Sequence, residues 1–480
     1  MKQSDWKIIY TNYSGIAKRT INLLSKEVGA RLIREPGVYR IYVLPCEREG
    51  CEIPKNAIFV GCYNDSPTIQ SLVESCEIPE RGFLVKVINN PSAPNGRLVI
   101  LTSHSESELF YAAISFLDDY IPEHAPKHGS NKMPELIFDT PLPECSYTEC
   151  PDHKTRSVFT WGHSINDYRA YIDNMARLKL SELIIWNDYV PVNISDVIDY
   201  AHSYGIRVNL GYSWGWIDGC SKITDISDEA LSSLKKEIIS KYERDYRDTG
   251  CDGIYFQSFT ERCDEYIGGR MIAEAVTSLV NDTSRELLGR YPDLKLQFGL
   301  HASSVSHRLD EIAKVDPRVE ILWEDCGEFP YHYRSSVTSG ESFERTLEFT
   351  KKLLDLRGGV GVGLVFKGVM MLDWSKFINQ SGPYVLGENS SEIAEHDRQI
   401  RKGAWREYSS EWIKNGEWAQ KMLKFISENK KADVNMCIAG TFDGGIYLPE
   451  ALCAQMYRSC AEDYASILAK VMKRSCVTVN

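Results

Sequence analysis

The stretch Asp252–Glu261, DGIYFQSFTE, runs three strand formers, Ile254, Tyr255 and Phe256, into Gln257, Ser258, Thr260 and an acid, Glu261. Desolvating a carboxylate is costly, so an acid at the end of a hydrophobic strand needs a reason. The same kind of ending recurs. SVFTWG leads to Trp161 and His163, ELIIWND to Asn187 and Asp188, and IRVNLGYSW to Tyr212, Trp214 and Trp216. Further on, LKLQFGLH ends at His301, VEILWEDCG at Glu324 and Asp325, and VGLVFKG at Lys367, ahead of Asp373 and Trp374. Two opposed carboxyl groups can protonate a leaving oxygen and activate water or attack carbon, which is the chemistry of glycosidic cleavage. Indole and phenol rings suit the C–H face of a pyranose, and amides and carboxylates suit its hydroxyls. Glu261 is the candidate general acid, and Glu324, Asp325 or Asp373 the candidate base or nucleophile. Glu324 and Asp325 are adjacent, so on a strand they face opposite sides. Trp161, His163, Asn187, Asp188, Tyr212, Trp214, His301, Tyr331, Lys367 and Trp374 are the candidate sugar-binding residues. Two rivals stand beside this reading. One is a carbohydrate-binding barrel without catalysis. The other is a metal-dependent hydrolase, disfavoured because the strands carry no His-x-His ligand pair.

Elements that could bring these endings together are written in the pattern. From residue 155 to 480 strands and amphipathic helices alternate through eight units, which predicts an α/β fold, a (β/α)8 barrel whose active site lies at the C-terminal strand ends. Tyr168, Tyr171, Ile172 and Met175 share one helical face, and Gly205 is placed to end a helix. Residues 1–125 read as a small α/β domain, with Ser105 and Glu108 at capping spacing. The Pro- and Ser-rich stretch 126–154 reads as a linker.

Composition narrows the partners. The net charge is −12 with no basic block, which argues against nucleic acid. No stretch is apolar enough for a membrane span or a signal peptide, so a cytoplasmic protein without a membrane partner is expected. The 14 cysteines are scattered, as free thiols in a reducing compartment would be. Neither a metal nor an organic cofactor is implied. The expected partner is a carbohydrate substrate, and a homo-oligomer is left open.

The segments AIFVGCYNDSPTIQSLV, RGFLVKVIN and GRLVILTSHSESELFYAAISFLDDYI, followed by TRSVFTWGHSINDYRAYIDNMARLKLSELIIWND, resemble the clan of barrel glycoside hydrolases that holds family 20 β-hexosaminidases and family 67 α-glucuronidases. The resemblance implies a small domain ahead of the barrel, and an exo-acting glycosidase for an N-acetylhexosamine or a uronic acid. It also implies a sugar-binding Arg at the first strand, where Arg156 stands. One departure matters. Family 20 carries an Asp directly before its acidic Glu, to position the substrate's acetamido group, and here that place holds Thr260. The order of carboxylates is closer to family 67, so a divergent sister family is expected.

Overall fold

The computed structural model describes residues 6–32, 46–124, 142–187, 189–216, 223–300, 304–324, 342–369, 382–440 and 444–479. The chain forms two compact units. One comprises Met1–Pro151, Ser203–Gly205 and Ala465–Val477. The other comprises Asp152–His202, Ile206–Tyr464 and Thr478–Asn480.

The first unit is a six-stranded sheet of β1 (Trp6–Tyr10), β2 (Cys46–Arg48), β3 (Asn56–Cys62), β4 (Phe83–Asn89), β5 (Arg97–Ser103) and β6 (Cys145–Glu149), in the order β2-β1-β3-β5-β4-β6. Ile9, Phe59, Leu84, Leu98 and Ile100 form its apolar core with Ile69, Val73 and Ile78. Ser105 caps the helix Glu106–Ser115, its hydroxyl accepting from the Glu108 N–H at 3.4 Å.

Two expected boundaries are corrected. The stretch 126–154 is not all linker, because β6 pairs antiparallel with β4 from within it. Its short, polar sequence suits an edge, where only one flank is paired. The barrel does not run to residue 480, because Ala465–Val477 belongs to the first unit. There Arg474 donates to Asp119 at 2.7 Å, with both side chains about nine-tenths buried. The Ser115 hydroxyl donates to the same carboxylate at 3.1 Å.

The second unit is a closed barrel of eight parallel strands: β7 (Arg156–Trp161), β8 (Glu182–Trp186), β9 (Arg207–Ser213), β10 (Gly253–Gln257), β11 (Lys295–Leu300), β12 (Val319–Trp323), β13 (Val362–Val369) and β14 (Asn435–Gly440). Neighbours pair in sequence order and β14 closes on β7. Side chains alternate along a strand, so every second residue enters the interior. Phe159, Ile184, Trp186, Tyr255, Leu322, Val365, Cys437 and Ala439 fill its middle. Two glycines make room for the largest of these. A Cβ on Gly211 would sit 2.7 Å from the Trp186 ring, and one on Gly299 would overlap the Tyr255 phenol.

The interior is polar at the strands' N-terminal ends. The Gln297 amide donates to Glu182 at 2.8 Å and to Glu320 at 2.7 Å. The Asn435 amide reaches the same two carboxylates, each at 3.2 Å. Ser157 and Arg207 also donate to Glu182, both at 2.9 Å. No helix among the described residues is long and apolar enough to cross a membrane.

Two outcomes follow for stability. Removing one partner of a buried ion pair strands the other, at a cost of about 3–5 kcal/mol. Arg474→Met should therefore destabilise the first unit by about that much in chemical denaturation. A loss under about 0.5 kcal/mol would show the pair to be dispensable. The second outcome concerns pH. Burial, and then the charge of Glu182, raise the Glu320 carboxyl to about 7, against ~4.3 in an unfolded chain. A raised acid contributes its stability below the unfolded value and loses it as pH climbs through the folded one. Between pH ~4.5 and ~7 the melting temperature of wild type should therefore fall relative to that of Glu320→Gln. Parallel melting curves across that range would place the proton elsewhere.

Candidate active site

Among the described residues, the C-terminal strand ends gather two carboxylates. Glu324 follows β12 directly and is 4 % exposed. A carboxylate is acceptor-only, and burying one is tolerable only when donors meet it. Here the Tyr255 hydroxyl and the Gln257 amide, the latter at 2.6 Å, both donate to Oε1. The Lys367 ammonium lies 3.9 Å from Oε2. Tyr255 and Gln257 are two apart on β10, so both point inward. Gly299 on the intervening strand leaves the phenol a path to Glu324. Lys367 comes from β13, the next strand.

Glu261 lies in the loop after β10 and is half-buried. The Trp216 indole N–H donates to its Oε2 at 2.7 Å. The loop is fastened just before it. The Thr260 carbonyl accepts from the Ser304 hydroxyl at 2.6 Å and from the Arg262 N–H at 2.9 Å. Arg262 in turn donates to the Ile223 carbonyl at 2.8 Å. Aromatic rings line the interior between the carboxylates' anchors. Trp186 meets Trp216 and Tyr255 edge-on, at centroid distances of 5.6 and 5.8 Å. Trp161 packs edge-on against Phe159 at 5.1 Å.

Of the expected site residues, Glu261, Trp161, His163, Asn187, Glu324 and Lys367 stand at the strand ends. His163 is half-buried, and burial, then the Arg401 charge, pull its imidazole down to about 4. The ring is therefore neutral at pH 7. Asn187 accepts from the Tyr189 N–H at 3.1 Å. A segment the sequence reading left unassigned runs beside it. Val192 N–H donates to the Tyr384 carbonyl at 2.8 Å, and Asn193 and Leu386 exchange two bonds of 2.9 Å.

Three expectations are corrected. Arg156 opens β7, at the end of the barrel opposite the site. Its guanidinium is spent on backbone carbonyls, of Lys179 at 2.8 Å, His153 at 2.7 Å and Lys154 at 2.9 Å. It fastens the chain's entry into the barrel and binds no sugar from there. Tyr212 and Trp214 are fully buried on the outer side of β9. The Tyr212 hydroxyl donates to the Ile238 carbonyl at 3.1 Å, and its ring stacks on Tyr246. Trp214 stacks on Phe256, which also has the outward parity. Asp188, His301, Asp325, Tyr331, Asp373 and Trp374 lie outside the described residues.

Tyr255, Gln257 and Trp186 were not selected from the sequence, and Trp216 was noted as a strand ending without a role. The signal for them was parity. Asn209 and Gly211 are unusual inside a barrel strand and mark the inward register of β9, which puts Tyr212 outside. Among the described residues no cluster of three or more His, Cys, Asp or Glu side chains could hold a metal ion.

No family model matches the sequence, and no curated protein does. Solved structures do match. The GH20 β-N-acetylhexosaminidase from Streptomyces coelicolor A3(2) is 10 % identical, with 98 % of this chain and 91 % of that one covered, at a TM-score of 0.50. CpGH84D is 12 % identical over 90 % of this chain and 66 % of its own, at 0.45. The GH115 4-O-methyl-α-glucuronidase BtGH115A is 11 % identical over 99 % of this chain and 57 % of its own, at 0.47. The chain thus spans less than two thirds of the last two. At such identities the likeness is one of fold, and the Streptomyces structure carries it. In fold, the chain is similar to that GH20 barrel enzyme.

Proposed function

We propose that the chain is a glycoside hydrolase that removes a terminal sugar, an N-acetylhexosamine or a uronic acid, by paired carboxylate catalysis. The observation that carries this reading is Glu324. It is a nearly buried carboxylate at a barrel strand's C-terminal end, met by Tyr255, Gln257 and Lys367. Burial of that kind is expensive, and it is found where a negative charge or a base has work to perform.

Glu261 gives its proton to the glycosidic oxygen as the bond from that oxygen to the anomeric carbon breaks. Glu324 takes a proton from the water that attacks the same carbon from the opposite face. The products are the free sugar, inverted at its anomeric carbon, and the shortened alcohol. Glu261 regains its proton from solvent and Glu324 loses its own to solvent. Thr260 supports the inverting course. The residue before Glu261 is neutral and 1 % exposed, so no carboxylate at that place orients an acetamido group for internal attack.

Two measurements test the reading. General acid help is worth ~10²–10⁴-fold in rate. Glu261→Gln should lose about that much on aryl glycosides with poor leaving groups, and far less on activated ones, whose phenolate departs without a proton. Glu324→Gln should lose activity on both. Sugars bound but not cleaved by wild type, across aryl N-acetylhexosaminides and uronides, would favour a binding barrel instead. The second measurement is NMR of the first-formed anomer. Inversion is expected, and retention on an N-acetylated substrate would replace this course with acetamido participation.

A further inference from the structure

The two carboxylates have separate holders, and one ring, Trp186, touches both holders. Glu324 accepts from the Tyr255 hydroxyl, and Glu261 from the Trp216 indole. Trp186 lies against both rings at nearly right angles, 90° to Tyr255 and 88° to Trp216. Edge-to-face aromatic contacts prefer this geometry and resist sliding. The chain is also wedged from behind. Gly211 admits the Trp186 ring, Gly299 admits the Tyr255 phenol, and Phe159 packs on Tyr255 at 5.0 Å. Burial of Tyr255 holds its hydroxyl protonated far beyond neutral pH, which keeps it a donor.

We propose that Tyr255, Trp186 and Trp216 form one packed aromatic chain that fixes the two carboxylates relative to each other. Trp186, which joins the other two, is a positioning residue for both. The proposal rests on the hydrolase reading, because the spacing of two carboxyl groups matters when they act on one bond. It explains why two strands carry glycine where the rings pass. It also explains why the interior is aromatic on the side of β8 and β10.

The test removes polar atoms and keeps rings. Tyr255→Phe removes one of the donors to Glu324 and leaves the chain packed. Its kcat should fall about 10²-fold, as a small misplacement of a reacting group can cost, on activated and poor leaving groups alike, with KM within about two-fold. Trp216→Phe removes the indole donor to Glu261. Its kcat should fall on poor leaving groups and hold on activated ones, because only proton delivery is disturbed. Trp186→Leu should show both losses in one variant. Combined with Trp216→Phe it should cost less than the sum on poor leaving groups, the non-additivity expected of residues acting as a unit. Thermal melts of the two Phe variants control for folding. A purely structural chain would lower melting temperature and leave kcat unchanged in the folded fraction, and that result overturns the proposal. So do fully additive losses. If Glu261→Gln and Glu324→Gln are inactive while both Phe variants turn over normally, the aromatic chain alone is refuted. If the Gln variants stay active, the hydrolase reading falls and takes this proposal with it.

Discussion

The interior of a closed eight-strand barrel has a fixed width, and every second residue of every strand must share it. That constraint organises the second unit. Tyr255 and Trp186 are too large for a ring of average side chains, so the strands beside them carry Gly299 and Gly211. The glycines cost backbone entropy in the unfolded chain. In return, a phenol reaches across a neighbouring strand to the Glu324 carboxylate. Filling the barrel and positioning Glu324 are one arrangement seen from two directions.

The same width divides the barrel by chemistry along its axis. At one end Glu182 and Glu320 share the amides of Gln297 and Asn435. In the middle Ile184, Leu322, Val365 and Cys437 separate them from the far end. At that end stand Glu324 and Gln257. Glu320 lies on β12 and Glu324 directly follows it, four residues on with the same parity, yet their surroundings differ. Glu320 sits beside another carboxylate, and Glu324 near a lysine. Two carboxyl groups of one residue type thus meet different partners within about 13 Å along the chain.

The beat of strands and helices made the barrel legible, because a period of two that switches to 3.6 is a backbone property that side-chain choice must obey. The place of Glu324 at a strand's C-terminal end was legible for a similar reason, because that strand reads clearly in the pattern, though not its choice over Asp325. The inner and outer faces of the strand ends were not. Tyr212 and Trp214 look as functional as Trp186 and Trp216, and only the register set by Asn209 and Gly211 separates them. Arg156 misled because its place matched a family pattern while its strand end did not. The edge strand Cys145–Glu149 escaped because an exposed strand, half-polar and five residues long, has the composition of a loop. Nothing local to residues 465–477 says that they belong to the unit formed some three hundred residues earlier.

That last attachment reaches into the life of the chain on the ribosome. Domains ordinarily fold as they emerge, amino-terminal first, at roughly 5–20 residues per second. The first unit cannot finish that way. Its sheet is complete once Glu149 is out, but the arginine that answers Asp119 is residue 474. At those rates it follows roughly 15–60 s later. For that interval a buried acid waits without its counter-charge, while the whole barrel is made in between. The unit written first is therefore the last to be sealed, and its final stability depends on synthesis reaching the far end of the barrel.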